Sequence, residues 1–334
     1  MRKKIMLACL CVILVCLVLL AADGVPRQGR REQEPEGLRV ALSQAEALTP
    51  WKTAQINSFK EAAAQRGLKL IYHSPEEESL AWQLADIRGL LETGIDYLIL
   101  IPRVRTGYDE ILQEAKEQGV TVILAEQDVE MEVGTDPAYN QEDYYISYVA
   151  PDYKQEGELC ADILADYFGI QPCHTMVIQG EKESGMAWER YLGFMHGVRR
   201  HSNLYVSKRV ESNGSRLTAQ KATELVVADR DIDFNAVFAP SDEDGLGVLQ
   251  ALKLAGVDPG KDVVIVSIEG IQDVFKAIIA EEYLATVKSD PEYGEPVFDL
   301  IEKRERGESV PRRVLTANRI YTVENAEAFF EDAY

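Results

Sequence analysis

Residues 95–127 read IDYLILIPRVRTGYDEILQEAKEQGVTVILAEQ, and their pattern decides the fold class. Ile95 to Ile101 is a nearly unbroken apolar run of strand length. An amphipathic helix is expected from about Tyr108 to Gln118, and Val120 to Ala125 is a second apolar strand. Apolar strands joined by an amphipathic helix imply a parallel sheet covered on both faces.

The alternation extends both ways. Upstream, Leu38 to Ser43 is a short buried strand. Thr49-Pro50 starts a helix, with Thr as cap and Pro in the first turn, where its missing N–H costs nothing. That helix runs to about Arg66, with Ile56, Phe59 and Ala63 on one face, and Gly67 stops it before the strand Leu68 to Tyr72. Leu80, Leu84, Ile87 and Leu91 mark the next helix. Downstream, strands are expected at Tyr145–Val149, Thr175–Ile178, Leu204–Val210, Ala236–Ala239, Val263–Ile268 and Leu284–Val287. Between them lie helices at Gln155–Phe168, Ala187–Arg200, Thr218–Ala228 and Glu243–Ala255. Roughly ten such strands crowd a single open sheet, so the expectation is an α/β protein of two similar doubly wound parallel-sheet lobes.

In open parallel sheets, ligands bind beyond the carboxyl ends of the strands. That rule selects Trp51 and Lys52 after the first strand, Glu126 and Gln127 after Val120–Ala125, Ser241 and Asp242 after Ala236–Ala239, and Glu269 with Gly270 after Val263–Ile268. An aromatic ring among carboxylate, amide and cationic groups suits a sugar, whose apolar face stacks while its hydroxyls hydrogen-bond. Each residue also has a plainer role. Ser241 and Asp242 would cap the next helix, Trp51 would sit in the core, and Glu126 and Gln127 would be loop residues. What favours a site is that all fall on one edge.

Arg2, Lys3 and Lys4 precede Ile5 to Ala22, 18 residues without a charge. This is an export signal or a membrane anchor. Small residues in Ala22-Asp23-Gly24 permit cleavage before Val25, and Cys9, Cys11 and Cys16 are poorly placed for lipid attachment. Val25 to Gly37 is a charged spacer. The 334-residue chain carries a net charge of -21; its first 24 residues contribute +2, leaving -23 on the body. So acidic a body argues against nucleic acid as partner. Beyond the N-terminal run only Cys160 and Cys173 remain, and a disulfide between them is not expected. Four His and two Cys without paired spacing offer no metal site, and no cofactor motif, nucleophile elbow or phosphate loop indicates an enzyme.

From Leu38 to about Tyr321 the chain resembles the type I periplasmic sugar-binding proteins, ribose-binding-like, and most of all their galactofuranose-binding branch. The stretches that carry the resemblance are Trp51-Lys52, residues 101–108 (IPRVRTGY), 241–247 (SDEDGLG), 255–263 (AGVDPGKDV) and 266–270 (VSIEG). It implies two lobes joined by a three-segment hinge near Ala150–Asp152, Ser289–Pro291 and Ala317–Ile320, with a sugar held in a cleft that closes on it. The lobes would comprise 38–150 with 290–318, and 151–289 with 319–334. The implied ligand set is Trp51, Lys52, Glu126, Gln127, Arg190, Ser241, Asp242 and Glu269, with Tyr293 a weaker candidate beside the hinge. Asp242 is expected as the strongest anchor and Glu126-Gln127 as the choosers of ligand. The chain departs from the family pattern at Lys52, Glu126-Gln127, Ser241 and Glu269, where Arg, Asp-Arg, Asn and Asp are usual. Lys does not replace the planar fork of Arg. The expected partners are a small sugar and a membrane protein, either an ABC-type permease or a sensor histidine kinase.

Overall fold

The computed structural model describes residues 37–74, 76–131, 144–181, 184–228 and 232–334. The apolar run Ile5–Ala22 and the spacer up to residue 36 lie outside them. No helix among the described residues is long and apolar enough to cross a membrane.

Two six-stranded sheets form the body. The first has strand order β11-β5-β4-β3-β1-β2, built from β1 (Val40–Ser43), β2 (Leu70–Tyr72), β3 (Tyr97–Leu100), β4 (Thr121–Ala125), β5 (Ser147–Pro151) and β11 (Arg313–Thr316). All its pairs are parallel. The second has order β12-β10-β9-β8-β6-β7, from β6 (Cys173–Ile178), β7 (Leu204–Val210), β8 (Ala236–Phe238), β9 (Val264–Glu269), β10 (Ala285–Lys288) and β12 (Arg319–Thr322). Its pairs are parallel except β10 with β12.

Helices cover both faces of each sheet: α1 (Pro50–Gln65), α2 (Leu80–Glu92), α3 (Asp109–Glu117), α4 (Tyr153–Phe168), α5 (Gly185–Arg200), α6 (Arg216–Val227), α7 (Asp242–Leu254), α8 (Gln272–Ile279) and α9 (Gly294–Glu305). Along β3, Leu98 and Leu100 enter one core cluster while Tyr97 and Ile99 enter the other, the alternation a two-faced strand requires. Val264 and Val266 of β9 likewise face opposite to Ile265. Thr49 caps α1 by accepting from the Lys52 amide at 3.1 Å, with Pro50 as first residue, and Gly67 ends the turn with φ +69°.

The sequence pattern did not indicate β11, β12, α8 or α9. β11 and β12 are four-residue edge strands without the continuous burial of the central ones, so no apolar run marks them. The antiparallel β12 also makes the second sheet mixed rather than purely parallel. β5 begins and ends two residues later than expected. Cys160 and Cys173 are free, buried thiols.

Candidate functional site

A cavity of about 210 Å³ lies between the two sheets, at the carboxyl ends of their strands. One wall follows β1, β3 and β4 and presents Glu46, Trp51, Lys52, Arg103 and Glu126. The other follows β6, β7, β8 and β9 and presents Glu181, Arg190, Asn213, Ser241, Asp244 and Glu269.

On the first wall, Lys52 Nζ stands 2.6 Å from both Glu46 Oε2 and Glu126 Oε2. Burial opposes the charged ammonium, but the two carboxylates outweigh it and raise its pKa. Burial also raises the Glu126 carboxyl, against the pull of Lys52. Gln55 Nε2 donates to Glu126 Oε2 at 2.8 Å. The Glu126 backbone has φ +63°, a region that costs a non-glycine residue about 1–3 kcal/mol. Its surroundings hold it there: its N–H donates to Val149 O at 2.9 Å, and its carbonyl accepts from the Tyr148 and Tyr153 hydroxyls at 2.9 and 2.7 Å. Trp51 is fixed by donation from Nε1 to Ser289 O at 2.7 Å and by the edge-on ring of Tyr293, 6.2 Å away.

On the second wall Arg190, only 1 % exposed, donates from Nε to Glu156 Oε2 at 2.7 Å and from Nη1 to Pro240 O at 2.8 Å. Its Nη2 is buried and has no hydrogen-bond partner among the described residues. Glu269 ends β9 with φ +133°, a second strained carboxylate at a strand end. Its Oε2 accepts from the Asp242 amide at 3.3 Å, and Oε1 lies 3.9 Å from Arg190 Nη1. Burial, and the nearby acids against Arg190, push its pKa up to about 8. Asp244 accepts from the Ser212 and Ser241 hydroxyls at 2.6 and 2.9 Å, and burial lifts it to about 6 despite them. Arg103 of the first wall reaches Glu181 of the second at 3.1 Å, an ion pair across the opening.

Six of the nine expected residues therefore share one cavity: Trp51, Lys52, Glu126, Arg190, Ser241 and Glu269. Three stand elsewhere. Asp242 is fully buried behind the wall, where its carboxylate accepts from the Gly270 and Ile271 amides at 2.7 and 2.8 Å, from Thr286 at 2.8 Å and from Ser267. Those donors hold it as a brace between α7, β9 and β10 and leave it turned from the cavity. Gln127 lines a neighbouring crevice with Arg105, Tyr148 and Glu189, because the left-handed turn at Glu126 diverts the chain. Tyr293 is wholly buried and supports Trp51 and Phe59. Glu46, Arg103, Glu181, Asn213 and Asp244 were not singled out from sequence. Each follows a strand, which was the available signal. Among the described residues no group of three or more His, Cys, Asp or Glu is placed to hold a metal ion.

Residues 40–303 match the family described as periplasmic binding protein domain. The chain belongs to that family. It is 27% identical over 299 residues to the galactofuranose-binding protein YtfQ of Escherichia coli (strain K12), covering 88% of this chain and 91% of that one. It is 25% identical over 254 residues to the ribose import binding protein RbsB of Bacillus subtilis (strain 168), covering 76% of each. A crystal structure of a galactofuranose binding protein superposes with a TM-score of 0.80 at 26% identity, covering 89% of this chain and 98% of that one. The arabinose-transporter binding component of Shewanella sp. ANA-3, bound to arabinofuranose, gives 0.80 at 27% identity, covering 88% and 95%. The two-lobed α/β architecture expected from the strand and helix alternation is the fold of these proteins.

Proposed function

We propose that this chain captures a small sugar in the cleft between its two sheets and delivers it to an ABC-type importer, without chemical turnover. The observation that carries the reading is Arg190. Arg190 lines a cavity sized for a small solute, and its buried Nη2 has no hydrogen-bond partner among the described residues. Buried donors are rarely left unsatisfied; Glu156 Oε1, on the carboxylate that takes the Arg190 Nε bond, is likewise without a partner among the described residues, and a ligand oxygen reaching the guanidinium from the cavity would complete the set. Trp51 offers a ring face, and Glu46, Lys52, Glu126, Arg103, Ser241, Asp244 and Glu269 offer polar groups for hydroxyls. Relatives described as ribose and fructose import binding proteins favour transport over the sensor-kinase role. In this reading the N-terminal run exports the chain, as a cleaved signal or as a retained anchor.

The two walls would be joined through residues following β5, β10 and β11, and a solute touching both would favour the closed arrangement. A thermal-shift screen of the full-length chain against monosaccharides tests the proposal. A ligand at 100 times its dissociation constant stabilises by about 2.7 kcal/mol. Scattering on the same complex should show a smaller radius, and the sugar should be recovered unchanged. A new product, or no stabilisation by any sugar, would refute the reading.

A further inference from the structure

We propose that the solute is a sugar or polyol carrying a basic amine, with its ammonium between Asp244 and Glu269 and a neighbouring hydroxyl oxygen on Arg190. The inference rests on the sugar-binding reading and narrows it to a chemical class.

The charges of the cavity are unequal. Among the described residues that line it, six carboxylates face three cations. Every cation is already committed. Lys52 is shared by Glu46 and Glu126, Arg103 pairs with Glu181, and Arg190 is paired with Glu156 behind the wall. Of the remaining three lining carboxylates, Glu78 is exposed to water. The other two, Asp244 and Glu269, are sheltered on the second wall and share only Arg190, which is already hydrogen-bonded to Glu156. Asp244 has only the hydroxyls of Ser212 and Ser241, which use two of its roughly four acceptor sites. Glu269 Oε1 stands 3.9 Å from Arg190 Nη1, beyond hydrogen-bonding distance. Asp242 adds a further buried carboxylate behind them, held by neutral donors only.

A buried carboxylate satisfied by neutral groups does not recover the cost of leaving water. The raised pKa values of Asp244 and Glu269 express that deficit. A neutral hydroxyl would fill acceptor sites and leave Asp244 without a counter-ion and Glu269 held toward its protonated form. An ammonium brings three donors and the missing charge together. Arg190 supplies an independent constraint. Its guanidinium lines the cavity and can only donate, so it takes a ligand oxygen, a role an ammonium cannot fill. One molecule with a basic nitrogen and an oxygen a few bonds apart satisfies both demands.

The test is calorimetric titration of the full-length chain at neutral pH. The probes are D-galactosamine, D-glucosamine and 1-amino-1-deoxy-D-sorbitol, each against its neutral parent, and for the two hexosamines also the N-acetyl derivative. The amine should bind about 10- to 100-fold tighter than its neutral counterparts. Asp244→Asn and Glu269→Gln, made separately so that a folding defect in one leaves the other usable, should each shrink the ratio of amine to neutral-parent affinity. Equal or tighter binding of a neutral parent to the unmodified chain overturns the inference and leaves the sugar-binding reading standing, as does a preference undiminished in both variants. If no probe of either kind binds while a neutral sugar of the monosaccharide screen does, the inference is overturned and the sugar-binding reading stands; if nothing in that screen binds either, both fail.

Discussion

Gly157→Ala should both destabilise the protein and weaken ligand binding, through a helix contact behind the cleft. Gly157 lies on α4, where a Cβ would stand 2.0 Å from the carbonyl oxygen of Arg190 and 2.7 Å from the Phe194 nitrogen on α5. Facing it, a Cβ on Gly193 would meet the Lys154 carbonyl oxygen at 1.9 Å. The obstacles are backbone atoms and cannot swing aside, so the helices must part by roughly 1 Å or more to reach ordinary contact distance. Overpacking of this kind costs about 1–3 kcal/mol. Against it, Ala gains up to about 1 kcal/mol over Gly in a helix. The expected net loss is about 1–2 kcal/mol, and a domain of 150–250 residues loses roughly 2–4 °C in melting temperature per kcal/mol. The same displacement moves Arg190 relative to Glu156, whose Nε–Oε2 distance is 2.7 Å, so affinity for whichever sugar the screen identifies should fall about tenfold or more. Gly89→Ala is the matched control. Gly89 sits on the exposed side of α2, where an added Cβ would meet nothing within 4 Å, so the change should stabilise by up to about 1 kcal/mol and leave affinity alone. Calorimetric melts and titrations of both variants decide the matter. If Gly157→Ala raises the melting temperature as Gly89→Ala does and binds normally, the close approach of α4 and α5 does not position Arg190.

Two further outcomes follow from the buried charges. Lys52→Met leaves Glu126 buried without its cation, and should cost about 3–5 kcal/mol in chemical denaturation; adding Glu126→Gln should restore much of the loss, and strict additivity of the two changes would contradict the pairing. Ligand-free stability should fall as pH rises from about 5 to 9. Asp242 and Asp244 are raised to about 6 and Glu269 to about 8, above their unfolded values, so in that window the folded state holds more protons than the unfolded one and the slope is negative. Carboxylates shifted the other way, such as Glu295 and Asp273, are at the surface, where solvent screening weakens their contribution. Thermal melts across the range measure the slope, Glu269→Gln should flatten its upper part, and a rise in stability over the interval would refute the assignment.

The apolar strands announced the fold because parallel strands buried on both faces have no alternative pattern, and their carboxyl ends carried Trp51, Lys52, Glu126, Ser241 and Glu269 to one cavity. Two confusions between near neighbours show where sequence reasoning stops. Gln127 follows Glu126 directly, yet a left-handed turn separates them, and a positive φ at a glutamate has no sequence signal. Asp242 and Asp244 both sit in the first turn of α7 and differ in direction. Here a signal existed. Ser241 caps the helix by accepting from the Asp244 amide at 3.1 Å, and its hydroxyl donates to the Asp244 carboxylate at 2.9 Å, which keeps Asp244 beside Ser241 on the cavity wall. Asp242, one residue into the helix, instead meets the amides of Gly270 and Ile271 just before α8, where a negative charge is favoured.

The balance of charge in the cleft could not be read locally either, because its pairs join residues far apart in the chain: Lys52 with Glu126, Arg103 with Glu181, Arg190 with Glu156. A count of acids and bases gives an acidic cavity without saying where the excess lies. Once the pairs and the solvated Glu78 are removed, the excess falls on Asp244 and Glu269, on one wall beside Arg190, whose Nη2 has no partner among the described residues. A difference of net charge between two sugars is felt by both carboxylates at once, whereas a difference in the configuration of one hydroxyl is felt by one hydrogen bond. The charge of the ligand should therefore separate candidates more sharply than its stereochemistry.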